Sequence, residues 1–142
     1  MENSVRPLVY DKLADASLKL YFTLKKRLDV EAKEIDLSSQ QVQVLTFLKD
    51  KSSVTMTALA KAFDLTQAGM AGLIDRLIEN RLVAREYDPK DRRVVLIRIS
   101  KNGRAKSNSY QKKLATVFKK IACGLSANER KTFIELSKRL KF

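Results

Sequence analysis

The stretch from Thr55 to Ser100 constrains this chain more than any other. It reads TMTALAKAFDLTQAGMAGLIDRLIENRLVAREYDPKDRRVVLIRIS. A short apolar helix is expected from Met56 to about Phe63, capped by Thr55. Asp64-Leu65-Thr66 forms a turn, and the Thr66 hydroxyl can accept from the free N–H groups that open a second helix. That helix, Gln67 to about Asn80, sets Met70, Leu73, Ile74, Leu77 and Ile78 at i, i+3, i+4, i+7 and i+8, one apolar stripe of helical period. Asn80-Arg81 ends it, Asn80 being suited to the left-handed geometry of such a stop. Leu82–Tyr87 and Val94–Ile99 are apolar and β-branched runs of strand length, joined by the charged tip Asp88-Pro89-Lys90-Asp91-Arg92-Arg93.

Helix, turn, helix and hairpin in that order predict a winged helix-turn-helix. A helix fits the major groove of duplex DNA and a hairpin can reach the adjacent groove. The flanks are helical. Leu8 to about Glu34 carries Leu13, Ala16, Leu20, Leu24 and Leu28 on one stripe, with Pro7 at its start, where a missing N–H does no harm. Its lysines lie off the stripe without an aromatic insertion face, which favours a packing or dimer helix over a membrane one. Ser38 and Gln41 form a capping box for an apolar helix bearing Val42, Val44, Leu45, Phe47 and Leu48, the expected buried centre. Ser100 caps a long helix to about Gly124, striped by Ala105, Leu114, Val117, Phe118, Ile121, Ala122 and Leu125. Ser126 and Glu129 open a terminal helix with Phe133, Leu136 and Leu140 on one side. The expected fold is mainly α with a small β-wing. Residues 1–35 form an N-terminal dimerisation helix, 36–100 the winged DNA-binding lobe, and 101–142 the C-terminal dimerisation helices.

Composition narrows the partners. There are 29 Lys and Arg against 16 Asp and Glu, a formal charge of +13. Such self-repulsion points to a polyanion. No secretory pattern opens the chain and no apolar run approaches a bilayer span, so a cytoplasmic protein without a membrane partner is expected. There is no histidine, which removes Ser–His and Cys–His pairs and the commonest zinc ligand. With no P-loop, nucleophile elbow or dinucleotide fingerprint, the chain is expected to be no enzyme and to need no metal or cofactor. The single cysteine, Cys123, follows Ile121-Ala122 in a packing helix, and a buried, inert thiol is expected.

The run from Leu59-Ala60 to Lys101-Asn102-Gly103 resembles the MarR family of transcriptional regulators. The carriers are Leu73–Leu77 (LIDRL), the strand entry Leu82-Val83-x-Arg85, the wing Asp88–Arg93 (DPKDRR) and Ile99-Ser100-x-x-Gly103. The resemblance implies an obligate homodimer built by the terminal helices. It implies binding to a pseudo-palindromic operator, usually as a repressor released by a small ligand or by oxidation. It also implies that an Asp of the recognition helix and an Asp of the wing, here Asp75 and Asp91, pair with arginines of the motif and fix the wing. A bare Asp75 facing phosphate would be repelled, so a nearby arginine is expected on physical grounds too.

Arg92 is the first candidate to enter the minor groove, where the potential is most negative. Lys90 and Arg93 accompany it, although Arg93 can instead be structural. Thr66, Gln67 and Ala68 lie at a helix N-terminus suited to phosphate and base edges. Thr55 and Thr57 are placed for phosphate, and Arg76 either binds phosphate or pairs internally. The remaining groove face departs from the family's polar pattern: Ala68, Gly69, Ala71 and Gly72 leave it nearly bare. Close packing against another helix would explain this, as would close approach to DNA with alanine methyls against thymine methyls. For the small aromatic or anionic effector that the resemblance implies, Tyr21 and Tyr110 are candidates, both read as exposed helical tyrosines. The leading expectation is a sequence-specific regulator; the alternative is a basic architectural protein that coats DNA with little sequence preference.

Overall fold

The computed structural model describes residues 5–140. The order is α1 (Val5–Lys33), α2 (Ser39–Lys49), β1 (Val54–Thr55), α3 (Met56–Ala62), α4 (Gln67–Glu79), β2 (Val83–Tyr87), β3 (Val95–Ile99), α5 (Lys101–Ile121) and α6 (Ala127–Arg139). A 3₁₀ turn, Ala122–Gly124, separates the last two helices. Mainly helical architecture with a small wing is thus the observed fold class.

Local chemistry sets the helix starts. Ser38 accepts from the Gln41 N–H while the Gln41 side chain accepts from the Ser38 N–H, a reciprocal cap that opens α2. Thr55 and Thr66 cap α3 and α4 through the N–H groups of Ala58 and Gly69. Ser100 and Ser126 do the same for α5 and α6 through Gly103 and Glu129. At Ser126 the box is again reciprocal, and accepting the Ser126 N–H holds the Glu129 carboxyl below its usual range.

Two local expectations need correcting. The left-handed residue after α4 is Arg81, with φ 57°, whereas Asn80 stays right-handed at φ −82° and its side-chain amide donates to the Arg76 carbonyl. The sheet has a third strand. Val54 and Thr55 pair antiparallel with Ile97 and Leu96, so β3 lies between β1 and β2. A two-residue strand has no period to read; the edge of β3 organises it.

One apolar core runs from the C-terminal end of α1 (Ala32) and the turn after it (Ile35) through α2, α3 and α4 to β3 and Tyr110 of α5. Val44, Leu45, Leu59, Met70, Ile74, Leu77 and Ile97 are fully enclosed. The α4 stripe therefore does what its spacing requires, holding that helix to the core and turning its other side outward. Where α5 crosses α2, the enclosed Ser107 hydroxyl meets Thr46 Oγ1 at 3.4 Å, so this polar pair is satisfied internally.

The root of the wing and the start of α5 are locked together. The Ser100 N–H donates to the Leu82 carbonyl at 3.0 Å, and the Ser100 hydroxyl donates to the Arg81 carbonyl at 2.8 Å. Gly103 sits so close that a Cβ there would lie 2.1 Å from the Leu82 carbonyl oxygen.

Candidate nucleic-acid interface

The α4 face turned from the core bears Gln67, Ala68, Gly72, Asp75, Arg76 and Glu79, all exposed, with Ala71 half-buried. Its glycines are not there for internal packing. A Cβ at Gly72 would meet nothing within 4 Å, and one at Gly69 only the capping Thr66 hydroxyl at 3.2 Å. This removes helix–helix packing as the reason for the bare surface. Ala68, Gly69, Gly72 and Arg76 instead line an open cleft of about 330 Å³ with Ser38, Gln40 and Gln41. Sequence reasoning missed this contribution of the α2 N-terminus to the cleft on the α4 face. The Ser38 cap marks a helix start but not its neighbour in space.

Asp75 and Arg85 join α4 to the wing: Asp75 Oδ1 accepts from Arg85 Nη2 at 2.8 Å. Both groups are partly exposed, so the contact fixes orientation more than it adds stability. Arg98 and Glu86 pair across β3 and β2 at 3.1 Å. At the tip, Asp91 accepts from the Arg93 backbone N–H, Nε and Nη2 at 3.0, 3.1 and 3.2 Å. The Arg93 side chain, then its backbone N–H, holds the Asp91 carboxyl below its usual range. Asp88 accepts from the Lys90 N–H at 2.7 Å and closes the turn by donating its own N–H to Val94. Arg93 is thus engaged within the tip. Lys90, Arg92 and Arg76 form no ion pair among the described residues. Thr55 is half-buried, and Thr57 and Thr66 are exposed, all three at helix starts.

The two tyrosines lie apart from this surface. Tyr21, 53% exposed, lines a groove of about 580 Å³ with Lys25, Asp29, Ser39, Gln40 and Gln43. Tyr110 is buried rather than exposed, and its hydroxyl donates to the Leu28 carbonyl at 3.4 Å. Burial, then the carboxylates of Asp29 and Glu31, raises its pKa. It closes one side of a second groove, about 490 Å³, with Phe47, Phe63 and Leu114. Leu28 and Gln43 line both grooves. Cys123 also departs from expectation. It is exposed, because the helix gives way to a 3₁₀ turn before reaching it.

An outward-facing helix after a tight turn, tied to a three-stranded wing with a basic tip, defines a winged helix-turn-helix protein. Residues 35–94 match the model of the MarR family. That match takes in α2 through the tip of the wing. The chain is 27% identical over 118 residues to YhbI of Bacillus subtilis, an uncharacterized HTH-type transcriptional regulator, covering 83% of this chain and 74% of YhbI. It is 33% identical over 75 residues to the HTH-type transcriptional repressor NicR of Pseudomonas putida, covering 53% of this chain and 48% of NicR. Its fold matches the apo form of MarR from E. coli with a TM-score of 0.80 at 21% identity, covering 89% and 94% of the two chains. For a MarR variant from E. coli complexed with operator DNA, the TM-score is 0.75 at 21% identity, covering 90% and 92%. No helix among the described residues is long and apolar enough to cross a membrane.

Proposed function

We propose that the protein is a cytoplasmic homodimer that binds a pseudo-palindromic operator through α4 and the wing and acts as a repressor released by a small effector. The observation that carries the reading is the division of labour among the arginines. Arg85, Arg93 and Arg98 are paired internally, while Arg92, Lys90 and Arg76 stand on the outer surface with no acidic partner among the described residues. Arg92 enters the minor groove. Thr55, Thr57, Thr66 and Gln67 meet phosphates and base edges, with Lys90 and Arg76 on the backbone. Asp75 and Asp91 hold the wing at its working angle through Arg85 and Arg93. Ala68, Ala71 and Gly72 let the helix backbone approach the bases closely.

Exposed apolar side chains support the dimer. Leu13, Leu20, Phe118, Ile121, Leu125, Phe133, Ile134 and Leu136 are each 37% exposed or more in the single chain. They join α1, α5 and α6 in one exposed apolar surface, the kind of patch that marks an interface. Residues 1–35 and 101–142 thus form the dimerisation lobe and 36–100 the reading lobe. The adjoining grooves at Tyr21 and Tyr110 lie between the two lobes and are the candidate effector site, suited to a small aromatic or anionic molecule beside Lys25. The name of NicR, a repressor, supports the sign of regulation.

Selection of bound fragments from genomic DNA, followed by competition against random duplex, tests this reading. A specificity ratio of at least about 10³ is expected, and a ratio near one would establish the architectural alternative instead. Arg92→Ala is expected to weaken operator binding and to flatten the log–log salt slope by about 0.9, the signature of one lost phosphate equivalent. An unchanged slope removes Arg92 from the interface. Gly72→Arg places a long cation in the open cleft and is expected to lower cognate affinity by about tenfold or more, the scale of one spoiled base-pair contact. Normal binding in the competition assay would rule out close approach at that face.

A further inference from the structure

The charge of this chain does not sit on its reading lobe. Residues 36–100 hold ten Lys and Arg against eight Asp and Glu, and residues 1–35 hold seven against six. Residues 101–142 hold twelve against two, so 10 of the +13 excess lies in this C-terminal stretch. Of their described cations, only Lys113 forms an ion pair, with Glu31 of α1 and with Glu34 in the turn after it. Arg104 and Lys106 are turned to the Lys49 and Ile35 carbonyls. Arg130 and Arg139 border the apolar surface. The remainder are exposed: Lys101, Lys112, Lys119 and Lys120 on α5, and Lys131 and Lys138 on α6, with Glu135 between the last two.

The spacing gives three of the α5 lysines a common side. Lys101, Lys112 and Lys119 are 11 and 7 residues apart, three turns and two turns of α-helix, opposite Leu114, Val117 and Ile121. Lys119 lies about 27 Å along the helix from Lys101, at about 1.5 Å per residue. Since α5 starts at the wing root, its far end is well beyond the roughly 10 Å over which charges act in 0.1 M salt. Screening at that distance leaves those lysines little hold on a phosphate seated at the wing root.

We propose that the outer sides of α5 and α6 form a second, sequence-indifferent surface that holds the phosphate backbone of another DNA duplex. Three observations select DNA. The charges are lysines, point charges that suit phosphate without reading a base edge. They recur every 10 to 16 Å or so along α5, and a duplex presents a charge about every 1.7 Å, so each lysine finds a phosphate in any register. The residues between them on that side are Asn108, Ala115, Thr116 and Ala105, the last exposed here rather than on the apolar stripe expected of it; they offer nothing to insert into a lipid surface and no aromatic anchor for a protein partner.

The test uses the full chain and a random-sequence duplex. The variants are the fourfold change Lys112→Gln, Lys119→Gln, Lys120→Gln and Lys131→Gln, the same four positions changed to Arg, and Arg92→Ala. The fourfold Gln variant should lower the log–log salt slope of random-duplex binding by about 3 to 4 per protomer. The fourfold Arg variant should keep the wild-type slope, and Arg92→Ala should lower it by only about 0.9. A bead-bound duplex loaded with wild-type protein should retain a labelled second duplex, and the Gln variant at least tenfold less. The proposal is overturned if the Gln variant keeps the wild-type slope or capture, if the Arg variant fails as the Gln variant does, or if anionic vesicles are bound in place of the duplex. A lost slope on Arg92→Ala alone would leave the winged-lobe reading standing and end this one.

Discussion

Replacing Gly103 with Ala is expected to lower the melting temperature by about 10 °C, while Gly72→Ala raises it slightly. Both glycines are helical, and Ala at such a site ordinarily stabilises by about 0.5–1 kcal/mol. At Gly72 a Cβ meets open space, so the ordinary gain is expected. At Gly103 the new methyl would lie 2.1 Å from the Leu82 carbonyl oxygen and 2.9 Å from Ile99 Cγ1. Backbone cannot swing aside as a side chain can. Overpacking of this kind costs about 3 kcal/mol at the upper end of its usual range. At roughly 3 °C per kcal/mol for a chain of this size, that is the expected drop. Thermal melts of the two variants side by side check it. An unchanged melting temperature for Gly103→Ala would mean that α5 can step away from the wing root without loss.

Phe133→Glu is expected to dissociate the proposed homodimer and, with it, to weaken operator binding. Phe133 and Leu20 line both apolar hollows on the surface shared by α1, α5 and α6. In a single chain Phe133 is 49% exposed, so a carboxylate there disturbs the protomer little. In a two-fold interface the change appears twice, and each buried carboxylate without a partner costs several kcal/mol. A dimer dissociation constant raised by at least about 10³ follows. A monomer grips one half-site, so operator affinity should fall by about 10² or more as the effective concentration of the second lobe is lost. Sedimentation and operator titration of one sample measure both. A variant that stays dimeric would place the interface elsewhere.

Local chemistry makes much of the fold legible in the sequence. Ser38 with Gln41, Ser126 with Glu129, and Thr66 state helix starts in a few residues each, because the cap and its N–H partners are sequence neighbours. The stripe from Met70 to Ile78 states which side of α4 is buried. The features that escape such reading depend on distant partners. The strand at Val54–Thr55 exists because β3 passes beside it. Gly103 reads as an ordinary helical glycine until Leu82 is placed against it. Arg81 takes the left-handed position beside an asparagine better suited to it by local preference, because the turn continues for one more residue. Cys123 follows two apolar residues, yet the helix ends just ahead of it and turns the thiol outward. At the interface, the wing cations are readable from their positions on the hairpin. Their sorting into paired Arg93 and unpaired Arg92 is not, since one residue of sequence separates a clamp from a free hand.

The joint at Arg81, Leu82, Ser100 and Gly103 makes α5 a lever. Two hydrogen bonds from Ser100, which also caps the helix, and a backbone contact with no room for a methyl weld its near end to the wing, and its far end lies in the apolar surface assigned to the dimer. Over a helix of about 30 Å, a tilt of roughly 5° moves one end by about 3 Å relative to the other. That is close to the rise of one base pair. A small change in how two copies lean together would therefore alter the distance between their reading heads by a whole step of the duplex, with neither head changing shape.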